Sequence, residues 1–262
     1  MPTLERRVAI VTGGSRSVGY GIAAGLCEAG ATVYVTGRTI TERTAARLAK
    51  FGGRAVALVC DHDDDAQVAA AFERVEDREG RLDVLVNNAW GGYHRLRNRK
   101  AFPGYAWKAP FWEQPREIWD EMFRVGVRSS YVASAIAART MLRQRSGLIV
   151  SISFYAGRRY YGNVPYGVAK AATDRLAKDM AVELRPHGVA SVSLYPGHVT
   201  DAKKSPSPKR ESAQFVGRAV AALAADPDVL RRSGQVQVAA QLAREYGFTD
   251  TDGTQPEPYD EL

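Results

Sequence analysis

Short apolar runs alternate with stretches of helical periodicity along most of this chain. Val8, Ala9, Ile10 and Val11 make the first run, too short for a helix and apolar throughout, as a strand covered on both faces must be. Thr12, Gly13, Gly14 and Ser15 form a tight turn. Val18, Ile22, Leu26 and Ala29 then recur at helical spacing until Gly30 closes the helix. The alternation continues, with strands predicted at 32–36, 55–60, 82–86, 148–153, 190–195 and 235–238. Helices are predicted at 41–51, around Val68, Phe72 and Val75, and at 116–144, 166–185 and 212–225. Strands separated by helices of this length need right-handed crossovers. The pattern therefore predicts one α/β domain over residues 1–262, a doubly wound parallel sheet with helices on both faces.

Two stretches break the rhythm. Residues 89–115 are rich in aromatics (Trp90, Tyr93, Phe102, Tyr105, Trp107, Phe111, Trp112), which argues against disorder; the stretch reads as a substrate wall, a partner surface or packing over the sheet edge. Ser205, Pro206, Ser207 and Pro208 read as a mobile polar segment, and the polar tail from Gly247, with Pro256 and Pro258, as irregular.

Composition narrows the function classes. The net charge is +7, but the arginines are scattered and no basic helix or aromatic RNA-binding signature appears. Nucleic acid is therefore set aside as a partner in favour of a solvated surface or an anionic small ligand. His62, His94, His187 and His198 lie too far apart for metal-ligand spacing, so no metal is expected. Residues 1–7 are short and polar and no apolar run approaches a membrane span, so neither a signal peptide nor a membrane partner is expected. The ending Tyr259-Asp260-Glu261-Leu262 resembles a retention signal and is read as coincidence. Cys27 and Cys60 read as buried small apolar groups in a reduced cytoplasm.

The chemistry collects at the carboxyl ends of the strands, where ligands of such sheets bind, and where Thr12, Arg38, Asp61 and Asn88 all fall. The first strand, its glycine turn and the helix after it aim backbone N–H groups at one point, which suits a dinucleotide phosphate. Tyr166 and Lys170 stand four residues apart, on one face of a helix. A cation near a phenol favours the phenolate, so such a pair suits proton transfer at an alcohol oxygen. The same spacing also fits a tyrosine and a lysine on a wet helix face. Ser153, at a strand end, supplies a third polar group. The second strand ends in Thr36-Gly37-Arg38 with no carboxylate for a ribose 2′-hydroxyl, and Arg16 lies in the glycine loop. Two guanidinium groups suit a 2′-phosphate, so NADP(H) is the expected cofactor. The competing reading pairs Arg38 with a surface carboxylate such as Glu42.

TGGSRSVG (12–19), NNA (87–89), YGVAK (166–170) and PG (196–197), in this order, resemble the short-chain dehydrogenase/reductase family over roughly residues 5–240. GRLDVLVNNA (80–89), FWEQP (111–115), NVPYGVAKAA (163–172) and AREYGFTDTDG (243–253) are similar to its dehydrogenase/reductase SDR member 1 type. The resemblance implies a Rossmann-like domain with a seven-stranded parallel sheet, and Tyr166 as general acid/base. It implies that Lys170 binds the nicotinamide ribose and lowers the Tyr166 pKa, and that Ser153 orients the substrate carbonyl. Gly13, Ser15, Arg16, Ser17, Val18 and Gly19 would cradle the pyrophosphate. Asp61 would meet the adenine and Asn88 the adenosine side. Pro196 and Gly197 would also bind the cofactor, and Val199 and Thr200 would meet the carboxamide end. A homodimer or homotetramer through the two long helices is implied as well.

Four positions depart from the family pattern. Ser17 replaces its middle glycine, Gly126 the helix asparagine of its catalytic tetrad, and Asp201 the threonine after PG. Phe154 follows Ser153, and Ser151 points to the same side of the strand, leaving the identity of the catalytic serine open. The expected activity is NADP-dependent interconversion of a carbonyl and an alcohol. The alternative is an NADP-binding regulator or scaffold that has lost catalysis. The aromatics of 89–115 point to an apolar or ring-bearing substrate; Arg95, Arg97, Arg99 and Lys100 point to an anionic one.

Overall fold

The computed structural model describes residues 3–98, 100–200 and 208–258, so Arg99, Asp201, the segment 205–207 and the ending 259–262 lie outside the described residues. The apolar runs are strands. β1 (Val8–Val11), β2 (Thr32–Gly37), β3 (Arg54–Val59), β4 (Val84–Asn87), β5 (Gly147–Ile152), β6 (Val189–Tyr195) and β9 (Val236–Val238) form one seven-stranded parallel sheet. Its order is β3-β2-β1-β4-β5-β6-β9, so the chain builds outward from β1 first one way and then the other. The crevice between β1 and β4 is the switch point where ligands of such sheets bind. β7 (His198–Val199) and β8 (Arg210–Glu211) form a separate two-residue parallel pair just beyond β6.

Side chains alternate across the strands and define two apolar layers. Ala9 and Val11 face α1 (Ser17–Glu28), α8 (Ala213–Ala225) and α9 (Ala239–Tyr246), packing with Ile22, Leu26, Phe215, Val220 and Leu242. Val8 and Ile10 face the other way, onto Val68, Phe72 and Val75 of α3 (Asp65–Glu79) and onto Ala137 and Met141. α2 (Glu42–Ala49) and a single turn, α4 (His94–Arg97), lie among the connections. Cys27 and Cys60 are both buried and unpaired.

Two differences from the sequence reading matter. The helix predicted over 116–144 is interrupted: α5 (Glu117–Met122) runs into a π-helical turn (Phe123–Arg128) before α6 (Ser129–Gln144). The break surrounds Gly126, whose missing side chain leaves room for an indole ring. The second difference is α9, an Ala-rich helix buried through Ala239, Ala240, Leu242 and Ala243, which precedes the irregular tail and ends at Gly247 in the left-handed region. α7 (Val164–Leu184) follows the prediction closely, starting from an Asn163 cap that accepts from the Tyr166 amide at 3.0 Å. Among the described residues no helix is long and apolar enough to cross a membrane.

Candidate active site

The glycine turn is shaped by its neighbours. Gly13 has φ +66°, and a Cβ there would lie 2.9 Å from the Cα of Ala89, so only glycine fits without strain. Thr12 locks the turn to β4: its hydroxyl donates to the Val86 carbonyl at 3.2 Å and accepts from the Asn88 and Ala89 amides at 2.9 and 3.0 Å. The Asn88 side chain donates to the carbonyls of Thr12 and Gly13 at 2.9 and 3.1 Å, so it clamps the turn. Ser17 adopts φ +51°, a conformation that costs a non-glycine residue about 1 kcal/mol or more. Arg16, the residue before α1, makes no side-chain cap, so no side chain of its own satisfies the first N–H groups of α1. Such donors suit an anion.

Two adjoining cavities open over this crevice. A groove of about 200 Å³ is lined by Gly13, Ser15, Arg16, Ser17, Val18 and Gly19 from the turn, by Arg38 and Asp61 from the ends of β2 and β3, and by Asn88. A chamber of about 580 Å³ shares Ser17, Val18 and Asn88 with it and adds Ser153, Tyr166, Lys170, Pro196, Gly197 and Val199. Thr200 lines neither cavity; its amide donates to the Glu211 carbonyl at 3.2 Å instead. Of the site residues that the sequence singled out, Thr200, Thr12 and the alternative serine Ser151 line neither cavity, and the others come together here. Arg38 lies 4.0 Å from Asp61, not against Glu42; Arg38 is exposed and Asp61 part-exposed.

Tyr166 is 4% exposed and ringed by aromatics: Trp107 at 5.2 Å between centroids, Trp90 at 5.7 Å, Tyr93 at 6.2 Å and Phe154 at 6.3 Å. Burial pushes its pKa well above the usual phenol range, and the Tyr93 phenol beside it adds to the rise, because two touching phenols give up their protons one after the other. The expected lowering by Lys170 is therefore not realised in the protein alone. The Lys170 ammonium is turned away: it donates to the Ile152 carbonyl at 3.0 Å and sits 4.3 Å from the centroid of the Trp90 ring. Burial brings its own pKa down to about 8, with Asp174 opposing. Ser153 borders the chamber and donates to the Lys170 carbonyl at 3.2 Å, whereas Ser151 is fully buried and borders neither cavity.

Several groups in this region had no catalytic or cofactor-binding role in the sequence reading, although Tyr93 and Arg97 were read as bearing on the substrate. The Tyr93 hydroxyl donates to that of Tyr166 at 3.2 Å. Arg97 joins Arg16 and Arg38 around the groove. His62 also lines the groove, hydrogen-bonded to Thr36 at 2.7 Å, and burial lowers its pKa to about 4. Glu211, on β8, is fully buried and accepts from the Gly197 amide at 2.8 Å, fixing the turn after β6; burial raises its pKa to about 8. Tyr93 and Arg97 carried a signal, an aromatic and basic loop. Glu211 carried none.

A family model described as short chain dehydrogenase matches residues 7–211. "Dehydrogenase/reductase SDR family member 1" of Mus musculus is 43% identical over 98% of this chain and 87% of that protein, and the Homo sapiens protein of the same name is 42% identical over the same shares. A crystal structure from Xanthomonas campestris, 23% identical, superposes over 100% of both chains with a TM-score of 0.81, a likeness of fold.

Proposed function

The chain belongs to the short-chain dehydrogenase/reductase family, and from that premise we propose that it interconverts a carbonyl and an alcohol using NADP(H). The observation that carries the reading is the meeting of Tyr166, Lys170 and Ser153 at one chamber that opens into the groove over the β1–β4 crevice. The cradle fits a dinucleotide, because the start of α1 has no side-chain cap and three arginines surround the groove. Gly13, Ser15, Arg16, Ser17, Val18 and Gly19 would take the pyrophosphate, Asp61 and Asn88 the adenosine side, and Val199 and Thr200 the carboxamide end; Pro196 and Gly197 would also bind the cofactor. Arg16 and Arg38 would take a 2′-phosphate.

When bound, the nicotinamide supplies or accepts a hydride. Tyr166 gives its proton to the carbonyl oxygen in the reductive direction and takes it back in the oxidative one. Its raised pKa keeps it protonated and ready to donate. Ser153 holds the carbonyl oxygen once its hydroxyl turns from the Lys170 carbonyl, and Lys170 holds the ribose. Exposed apolar side chains on α6 and α7, Tyr131, Val168 and Val182, support self-association through those helices. A cytoplasmic setting rests on the two free, buried cysteines. Tyr166→Phe is expected to lower NADPH-dependent reduction across a carbonyl panel by about 10²–10⁴-fold while leaving NADPH binding, read by fluorescence, within about twofold. Unchanged turnover in that variant overturns the assignment.

A further inference from the structure

We propose that Tyr93 is the proton donor behind Tyr166, a positioning and relay residue that resupplies the Tyr166 hydroxyl as it gives up its proton. The inference rests on the reading of Tyr166 as the acid, and goes beyond it. The Tyr93 hydroxyl donates to the Tyr166 oxygen at 3.2 Å, which leaves the single Tyr166 hydrogen free to point at a substrate oxygen. The order Tyr93 O–H, Tyr166 O–H, carbonyl oxygen is the order a two-proton transfer needs.

The surroundings set the direction of transfer. Tyr93 borders both the groove and the chamber and is part-exposed, whereas Tyr166 borders the chamber alone and is buried. Burial raises the Tyr93 pKa, and the Tyr166 hydrogen bond and the Arg97 guanidinium, 5.7 Å from the Tyr93 ring centroid, oppose that rise and favour the phenolate there. Arg16 stands close enough to Arg97 to be felt by it, which adds positive charge on the same side. On the far side of Tyr166, by contrast, Gly126 offers no side chain and the Trp90 ring fills the space above it. The charged and titratable groups facing the pair are Arg97 from α4, Lys170 from α7 and Tyr161 just before α7; Lys170 lies 5.8 Å from the Tyr166 ring centroid and is bonded to Ile152.

The step balances. The Tyr166 O–H bond breaks as the O–H bond of the product alcohol forms, the Tyr93 proton moves to Tyr166, and the negative charge ends on the Tyr93 oxygen beside Arg97. The electron pair reduced into the carbonyl carbon is that of the hydride in the proposed reaction. Water reprotonates Tyr93 from the open side. The Tyr93 phenolate then accepts from the Tyr166 hydroxyl, so Tyr93 ionises at lower pH than it would without that hydroxyl.

Two readouts test this, one without cofactor. In apoprotein labelled with ¹³Cζ-tyrosine, Tyr93→Phe is expected to move the Tyr166 titration downward, because the Tyr93 phenol raises it, and Tyr166→Phe to move the Tyr93 titration upward, because the Tyr166 hydroxyl lowers it. In single-turnover reduction, Tyr93→Phe is expected to cut the rate about 10- to 100-fold with KM for NADPH unchanged. A proton inventory that is bowl-shaped in the wild type should become linear. Tyr93→Met, which keeps the bulk and removes the hydroxyl, must reproduce both results. An unmoved Tyr166 titration or an unchanged proton inventory overturns the relay. If Tyr166→Phe abolishes reduction while Tyr93→Phe leaves rate, inventory and titration intact, the relay alone fails; if Tyr166→Phe leaves reduction intact, the catalytic assignment fails first.

Discussion

On the proposed reading, the single side chain of Arg38 sets the cofactor preference. Its guanidinium is 68% exposed and its contact with Asp61 is long, 4.0 Å, so little holds it against a better anion. A 2′-phosphate offers that anion with charge-assisted bonds worth roughly 1.5–3 kcal/mol, which is about 10- to 100-fold in affinity. Arg38→Ala is expected to weaken NADPH binding by that factor while leaving NADH binding within about twofold. Fluorescence titration with both cofactors reads the ratio, and equal losses for the two would remove the 2′-phosphate argument. Lys170 teaches the opposite lesson. Spacing put it on the right helix face, but burial, the Ile152 carbonyl and the Trp90 ring decide where its ammonium points.

At the scale of elements, the π-helical turn between α5 and α6 is built around one close approach. A Cβ on Gly126 would fall 2.6 Å from Cε3 of Trp90 and closer still to its Cζ3. The indole meanwhile bears on Tyr166 and on the Lys170 ammonium. Alanine normally gains about 1 kcal/mol over glycine in a helix. Here the overpacking penalty, roughly 1–3 kcal/mol, opposes and outweighs it. Gly126→Ala should therefore lower the melting temperature, and adding Trp90→Leu should recover part of the loss, a coupling that a double-mutant cycle measures. A melting temperature raised by Gly126→Ala alone would show that the indole is not wedged there. Nothing in residues 116–144 announces the turn, because their apolar spacing is that of an ordinary helix and the constraint comes from Trp90, far away in sequence.

Over the whole molecule, what could be read beforehand is what local pattern encodes. The buried parallel strands, the glycine turn and the i, i+4 pair of Tyr166 and Lys170 all follow from neighbours in sequence. The Tyr93–Tyr166 bond joins positions 73 apart, and Glu211 sits between an arginine and a helix cap like any surface acid, so neither has a local signature. The buried ionisable groups nevertheless leave a collective mark on stability. Glu211 has its pKa raised by burial from 4.5 to about 8, so between those values the folded protein keeps a proton that the unfolded chain has released, and stability falls as pH rises. His62, lowered by burial from 6.5 to about 4, acts in reverse: there the unfolded chain binds the extra proton, and stability rises with pH. The two nearly cancel from about 4.5 to 6.5, where His62 is spent. From 6.5 to about 8 Glu211 acts alone and stability declines. Between 8 and 9, Lys170, lowered by burial from 10.5, is neutral when folded and charged when unfolded, so stability climbs again; above 9 Cys27 and Cys60, raised by burial from 9.0 to about 12 and about 11, keep protons that the unfolded chain releases and oppose the climb. Melting temperatures taken across this range should show a minimum near pH 8. Glu211→Gln keeps the acceptor for the Gly197 amide and should flatten the acid side of that minimum, while Lys170→Met should flatten the alkaline side. A Glu211→Gln profile that still falls between pH 6.5 and 8 would mean that the carboxyl beneath the Pro196–Gly197 turn is ionised in the folded protein.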